Sequence, residues 1–587
     1  MLRENVLPLE CIVRPADWDS KHSSGKTFSL RQTMHTVLLN ILEKRGISEN
    51  ERERFLHPDF TRDTHNSFLF REMRKAAERL LFALENGEVI VIHGDYDADG
   101  ISGTALLMSV IEDICARVNL SVYRSGKVRS FLPDREADGY GMNTNTVEKF
   151  KSEGVNVIVT VDNGIACVDS IQRAYELGME VIVVDHHQLA NEIPDRAIII
   201  HPLAPGETYP FSGLCGTGVA YKLAEAMYAV LRERGYDIPE GIEKWQLDLV
   251  AIATVTDMVP MLVENRVLEF FGLKVLNKTR RPGLLALMEV AGIEIGRLNT
   301  EDIGFRIGPR LNAAGRMAHA NEALAVLLEK DASKALELAR RLNELNALRQ
   351  RETEIAVKLA KSVCNVETND KMIVSFISEE MRPGIAGLVA GKLMEATGKP
   401  ALALAKVGAN YVGSGRAPEG FHLVEAMESC REFMLRGGGH PQACGFTIHE
   451  EKIGIWIEAM ERYATAKSFV ANNDVFPDAE ICLADVCLNF LADLKGMEPF
   501  GVGNLEPLFI IRGANLLSAE AIGKTGTHAR LSFSDGKTIM SAVAFGQMEA
   551  TRVFKFGDKV DLFFHVKENV WNGLSRAQIR IEEIRRI

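Results

Sequence analysis

No stretch of 18 or more consecutive apolar residues occurs anywhere in the chain, so a membrane-spanning helix is not expected. The first residues lack a basic segment followed by an apolar core, which leaves a secretory signal unsupported and makes a cytoplasmic location the expectation. The nine cysteines, Cys115, Cys167, Cys364 and Cys444 among them, are odd in number, scattered and without CxxC spacing. That excludes a disulfide framework and a zinc finger and points to reduced thiols. Basic excess is also missing. A net charge of -12 argues against a general affinity for nucleic acid, but clustered acidic ligands inflate that total and steering depends on the local field. There is no tandem repeat, and the one stretch like a phosphate loop, Gly523-Lys524-Thr525, has Ser518 where its first glycine belongs. A nucleotide-driven motor is therefore unsupported.

What the chain does have is room for several domains, since 587 residues exceed what one core holds. Val/Ile-rich runs at 89–93, 155–161 and 181–184 are too short for spanning helices and read as buried parallel strands. Helix-like segments at 101–114 and 169–177 alternate with them up to about residue 259, the habit of βαβ units in a doubly wound α/β domain. Residues 1–70 form an N-terminal extension, expected to pack on that first domain, which spans 71–320. Residues 321–363 are rich in Ala, Leu, Glu, Lys and Arg at helical spacing without internal Pro or Gly, so one long connecting helix is expected over 321–365. A second, smaller α/β domain follows over 366–470, with the cleft between the two as the natural site. Strand runs at 529–533, 541–545 and 560–566 suggest a small C-terminal β-barrel over 471–587.

Acidic and histidine residues gather at the ends of the apolar runs: His93-Gly94-Asp95-Tyr96-Asp97-Ala98-Asp99-Gly100, then Asp162, then Asp185-His186-His187, then Asp257. Ligands collect at the carboxyl ends of strands in open α/β sheets, so these residues should converge on one crevice. Their oxygen and imidazole donors suit Mn2+ or Mg2+ better than thiolate-loving metals. A single aspartate of this kind often caps a helix or makes a turn; it is the whole constellation that points to metal. Two ions about 4 Å apart, with Asp162 able to bridge them, can activate a water and stabilise the leaving oxygen in phosphodiester hydrolysis.

The motifs HGDYDADG at 93–100, PDREADGYG at 133–141, TVDNG at 160–164, DHH at 185–187, ATVTDMVP at 253–260, GPRLNAAGRM at 308–317, GSGR at 413–416, GGGH at 437–440 and PFGVGN at 499–504 resemble those of the RecJ family. These are single-strand-specific 5′→3′ exonucleases of the DHH phosphoesterase superfamily, and the likeness covers nearly the whole length. It implies a DHH domain joined by a helix to a DHHA1 domain, followed by an OB-fold, with two divalent ions, Mn2+ or Mg2+, as cofactors. By that resemblance His93, Asp97 and Asp162 hold one ion and Asp99, Asp162, His186 and Asp257 the other. Asp95, Asp185, His187 and His440 stand beside them as catalytic groups. Arg135, Arg310, Arg316, Ser414 and Arg416 match phosphate-contacting positions, and arginine forks suit phosphate oxygens.

Two departures stand out. Met381-Arg382-Pro383-Gly384 replaces the usual His-Pro-Gly element, and Ala417 follows Arg416 where serine is common; Arg382 is expected to contact a backbone phosphate. Phe545, Phe564 and Trp571 could stack bases on the barrel, although aromatics on short strands are more often core. The implied function is hydrolysis of single-stranded DNA from its 5′ end to mononucleotides in repair and recombination. The chain would act as a monomer, with a helicase and a single-strand-binding protein as further partners and no membrane. The alternatives are a DHH phosphoesterase for short oligoribonucleotides or cyclic dinucleotides, which would not need the barrel, and a DNA-binding scaffold without catalysis.

Overall fold

The computed structural model describes residues 36–189, 192–366, 368, 370–467, 475–523, 526–571 and 574–587, without the side chain of Trp571. The first 35 residues of the expected N-terminal extension, the expected boundary near 470, Lys524, Thr525 and the Trp571 side chain lie outside the described residues. The chain divides into two compact units. Among the described residues no helix is long and apolar enough to cross a membrane.

The larger unit holds Asn66–Asp257 and most of Val275–Asn473. Its first sheet has strands β1 (Ile90–His93), β2 (Val128–Phe131), β3 (Val157–Val161), β4 (Glu180–Val184) and β5 (Ile198–Ile200) in the order β2-β1-β3-β4-β5. All four pairings are parallel. β1, β3 and most of β4 are buried, as expected for strands covered on both faces. From β1 the chain passes through the helix Ala98–Arg117 to β2 on one side, while β3 lies on the other. The strand order reverses there, opening a crevice at the carboxyl ends of β1 and β3.

Beyond β5 the domain turns helical, with Gly216–Glu233, Leu247–Thr256, Pro282–Ala291 and Gly308–Met317. Asp257 does not follow a strand, as the apolar run before it suggested. It is the C-cap of Leu247–Thr256, a helix whose residues from Leu247 to Thr254 are all buried. An enclosed helix is apolar on every face and cannot be told from a buried strand by periodicity.

The expected single helix over 321–365 is two, Asn321–Leu328 and Ala332–Val363. The break follows from local hydrogen bonding. Asp331 accepts the Lys334 N–H as N-cap at 2.9 Å, and the Glu329 carboxylate accepts the N–H groups of Lys330 and Asp331 at 2.8 Å each. Those bonds compete with continued helix. The longer helix leads into a second sheet of β6 (Val374–Ser378), β7 (Ala401–Val407), β8 (Asn410–Arg416), β9 (Arg436–His440) and β10 (Ala443–His449), in the order β6-β7-β8-β10-β9. Only β6 and β7 pair in parallel.

The smaller unit gathers three separate stretches: the described residues up to His65, Met258–Lys274, and the described residues from 475 onward. Strands β12 (Phe509–Ile522), β13 (His528–Ser534), β14 (Ile539–Ala544), β15 (Lys559–Trp571) and β16 (Leu574–Arg586) form a barrel closed by β12 against β15, and β11 (Ala479–Glu480) adds to β12. Phe564 is core, its ring against Phe509, whereas Phe545 is exposed.

The expected N-terminal extension is shared between the units: Asn66–Phe70 belong to the larger one, where the Phe70 ring stacks on Tyr209, and the helices before His65 belong to the smaller one. Leu38, Ile41, Leu42 and Leu56 share one core with Phe490, Leu494, Phe509 and Phe564. The Arg266 guanidinium ties this unit's segments together, donating to the carbonyls of Phe55, Gly496, Met497 and Pro499 while stacking on the Phe55 ring.

Candidate metal centre and phosphate cluster

The end of β1, the turn after it and the start of the next helix deliver His93, Asp95, Asp97 and Asp99 within seven residues, and their surroundings differ sharply. His93 is fully buried between Phe131 and Phe150, and neither ring nitrogen has a hydrogen-bond partner. Burial pushes its pKa down to about 4, leaving a neutral imidazole with a lone pair to give. Asp97 is the N-cap of Ala98–Arg117, accepting the N–H groups of Asp99 and Gly100. Asp99 is buried, and its two oxygens accept the N–H groups of Gly216 and Thr217 at 2.7 Å each. These are the first amides of the helix Gly216–Glu233, whose unpaired N–H groups and dipole favour an anion.

Asp162 follows β3 with φ 63°, a left-handed conformation that Asp and Asn tolerate better than most residues. It is buried, and its Oδ1 has no hydrogen-bond partner. Gly216 sits so close that a β-carbon there would lie 2.6 Å from Asp162 Oδ1. His186 Nε2 lies 3.1 Å from Asp162 Oδ1, 3.5 Å from Asp257 Oδ2 and 3.8 Å from Asp99 Oδ2, yet hydrogen-bonds to none of them. Asp185 is engaged differently. Its Oδ1 accepts from the His186 and His187 N–H groups and pairs with His187 Nδ1 at 2.7 Å, while Oδ2 accepts from the Ile165 N–H. It is thus a positioning group for His187. The Tyr140 hydroxyl reaches the same ring at 3.2 Å.

Electrostatics sorts these groups. Burial, then the charges of Asp99, Asp97 and Asp257, push Asp162 well above the carboxylate range. Asp257 is raised well above it by burial and the charges of Asp99 and Asp97. Burial and the Asp97 charge raise Asp95 to about 8. Burial alone would lower His187, but the Asp185 hydrogen bond and charge override it and raise the ring to about 9. The same contact overrides burial at Asp185, which is held at about 2.

Ligand-type atoms, one from each residue, lie within 4.8 Å of one another in three groups: Asp162/His186/His187, Asp99/His186/Asp257 and Asp95/Asp97/Asp162. Asp162 and His186 each belong to two of them. Crowded buried carboxylates, a neutral buried imidazole and partnerless Asp162 Oδ1 and His186 Nε2 are what divalent cations relieve, so the residues fit such ions.

Guanidinium groups collect in the same unit. Among the described residues Arg135, Arg310, Arg316, Arg349 and Arg416 are partly buried and ion-paired to no carboxylate. Arg135 lies over the Tyr96 ring with its Nε unpartnered. Arg316 donates to the Gly384 carbonyl, and burial, then the charges of Arg135, Arg349 and Arg416, push it down to about 9, with Asp97 opposing. A β-carbon on Gly384 would lie 2.3 Å from the Arg316 carbonyl, so the Met381–Gly384 element requires glycine there. Arg416 donates to Ser414 Oγ and to the Gly415 carbonyl. Arg310 donates to Asn343 and to the Arg306 carbonyl.

Half-buried guanidinium groups without counter-charge call for an anion with several oxygens, and phosphate fits. Arg349 was not among the residues singled out from sequence, because it sits in a run of charged helix residues that reads as a solvated face. Arg382 is elsewhere engaged, half-exposed and paired with Glu352 at 3.0 Å. His440 ends β9, where partial desolvation, then the His187 charge, lowers its pKa.

Residues 89–254 match the DHH family N-terminal domain, 369–466 the DHHA1 domain and 477–583 the RecJ OB domain. The architecture is thus that of a DHH phosphoesterase with an added OB-fold. Among similar proteins are the single-stranded-DNA-specific exonuclease RecJ of Bacillus subtilis, 32% identical over 96% of this chain and 70% of that protein, and that of Escherichia coli, 31% identical over 87% and 90%. The crystal structure of RecJ from Thermus thermophilus in complex with Mn2+ superposes with a TM-score of 0.78 at 28% identity, covering 94% of this chain and 76% of that one. The chain belongs to the RecJ family.

Proposed function

We propose that the protein is a metal-dependent exonuclease that degrades single-stranded DNA from its 5′ end to mononucleotides, in DNA repair and recombination. The observation that carries this reading is the pairing, within one unit, of a carboxylate–imidazole cluster with a set of arginines that have no protein counter-charge. The relatives described as single-stranded-DNA-specific exonucleases support it.

In this reading His93, Asp97 and Asp162 would hold one ion and Asp99, Asp162, His186 and Asp257 the second, Mn2+ or Mg2+, with Asp95 beside them. When bound, such a pair supplies Lewis-acid polarisation of the phosphoryl group and stabilises the leaving oxygen. The protein's own groups do the positioning. Arg135, Arg316, Ser414 and Arg416 seat the terminal phosphate, with Arg310 beside them. The helix amides of Gly216 and Thr217 fix Asp99. Asp185 fixes His187, whose protonated ring can hydrogen-bond a phosphoryl oxygen, and His440 approaches from β9. The barrel binds single-stranded DNA. A cytoplasmic monomer that receives single strands from a helicase and a single-strand-binding protein completes the reading.

Digestion of end-labelled single and double strands with Mn2+ or Mg2+ tests it. Release of labelled mononucleotide from 5′ ends of single strands, with blunt duplex resistant, is expected. Equal cutting from 3′ ends or of blunt duplex would overturn it, and turnover of cyclic dinucleotides without strand digestion would assign the small-substrate activity instead.

A further inference from the structure

The helix Ala332–Val363 carries an inward stripe at alternating spacings of four and three residues: Ala335, Ala339, Leu342, Asn346, Arg349, Thr353, Ala356 and Ala360. Ala335, Ala339, Leu342, Ala356 and Ala360 are buried and small or apolar, as an inward stripe should be. The first half packs toward the DHH domain, where Asn343 accepts from Arg310. The last turns join the DHHA1 core, where Ala356, Ala360 and Cys364 meet Val374, Phe376 and Val389. Between those two cores the stripe turns polar for three consecutive positions. Asn346 is 3% exposed. Its Oδ1, Arg349 Nε and Thr353 Oγ1 are all buried atoms without a hydrogen-bond partner.

Three orphaned polar atoms in register on one helix are costly in a folded chain, and a structural helix would carry leucine or alanine there. From Asn346 to Thr353 the helix rises about 10 Å, enough to follow two or three stacked nucleotides at roughly 3.4 Å each. Arg349 also belongs electrostatically to the cluster around Arg316 and Arg310, so the ladder is continuous with the phosphate cluster.

We propose that the middle of this helix lines the path of the DNA strand, with Arg349 on a backbone phosphate and Asn346 and Thr353 hydrogen-bonding the sugar-phosphate units beside it. The proposal rests on the strand-degrading reading above. Thr353 donates through its hydroxyl and Asn346 through its amide, whose two ends exchange by rotation. The contacts are to backbone, so they carry no sequence preference.

Anisotropy titration of a fluorescent single-stranded oligonucleotide with phosphorothioate linkages, with Mg2+ present over a salt series, tests this in Arg349→Met, Asn346→Leu and Thr353→Val. Arg349→Met should weaken binding about tenfold and reduce the slope of log affinity against log salt by about 0.7, the value for one phosphate contact on a single strand, while Arg349→Lys keeps most of the slope. Asn346→Leu and Thr353→Val should weaken binding several-fold with the slope unchanged. All three apolar variants should melt at or above the wild-type temperature, because each removes an orphaned polar atom. Unchanged affinity and slope in Arg349→Met, or a melting temperature lowered in all three variants, would make the ladder structural and overturn the proposal. If wild-type protein digests single strands while Arg349→Met binds normally, only the helix assignment fails. If wild-type protein neither binds nor digests them, the functional reading fails and the proposal with it.

Discussion

Replacing Asp162 by Asn separates metal binding from folding more cleanly than replacing it by Ala. At φ 63° Asn tolerates the left-handed backbone, whereas Ala costs about 1 kcal/mol there. Asp162 is buried with Oδ1 unpartnered among Asp99, Asp97, Asp257 and Asp95. In EDTA, therefore, Asp162→Asn should melt at or above the wild-type temperature, since a repelled carboxylate has been neutralised. With Mn2+ at a hundredfold over its dissociation constant, the wild type gains about 2.7 kcal/mol, or about 5 °C at roughly 2 °C per kcal/mol for a large domain. The variant, lacking the carboxylate charge of a residue common to two ligand groups, should gain less than half of that. Metal catalysis supplies several kcal/mol of transition-state stabilisation, so turnover of single-stranded DNA should fall by about a thousandfold. The assays are thermal unfolding with and without Mn2+ and steady-state digestion of a labelled strand. A variant that keeps turnover within about tenfold of wild type, together with the full Mn2+ shift, would refute the role given to Asp162.

Gly216→Ala places a β-carbon 2.6 Å from Asp162 Oδ1; digestion should fall at least about a hundredfold, as for loss of a group that orients metal ligands, with the Mn2+ shift also reduced. Arg266→Met leaves the carbonyls of Phe55, Gly496, Met497 and Pro499 without their shared donor, and denaturant unfolding should show a loss of about 3 kcal/mol or more; Arg266→Lys should rescue little, because one ammonium cannot span that fork. Arg382→Ala removes a half-exposed ion pair with Glu352, so stability should change by less than about 1 kcal/mol and the salt slope of DNA binding should stay as in wild type; a slope lowered by about 0.7 would instead show a phosphate contact.

The parallel strands were legible because burial on both faces turns them into continuous Val/Ile runs, and β1, β3 and β4 coincide with three of those runs within two residues. The same rule misled at Leu247–Thr256, a helix enclosed enough to lose its polar face. Helical spacing alone could not reveal the interruption at Glu329–Asp331, where side-chain bonds to backbone outcompete a favourable composition. Arg349 was hidden for the opposite reason: it opens a polar stretch with Gln350, Arg351, Glu352 and Glu354, and only the three-dimensional stripe separates it from them. Nor could local pattern show where the first helices dock, because Leu38, Ile41 and Leu42 meet partners more than four hundred residues away.

The three-stretch composition of the smaller unit governs how the protein can be made and cut. On the ribosome, the helices before His65 and the segment Met258–Lys274 emerge long before the barrel strands that complete their core. Leu38, Ile41, Leu42 and Leu56 must wait, exposed, for the C-terminus, which makes them natural ground for chaperones during synthesis. Truncation before residue 477 would not trim an independent module. It would strip Arg266 of three of its four carbonyl acceptors and unmoor the stretch that begins one residue after Asp257, so a shortened chain should lose order at Asp257 as well as its barrel.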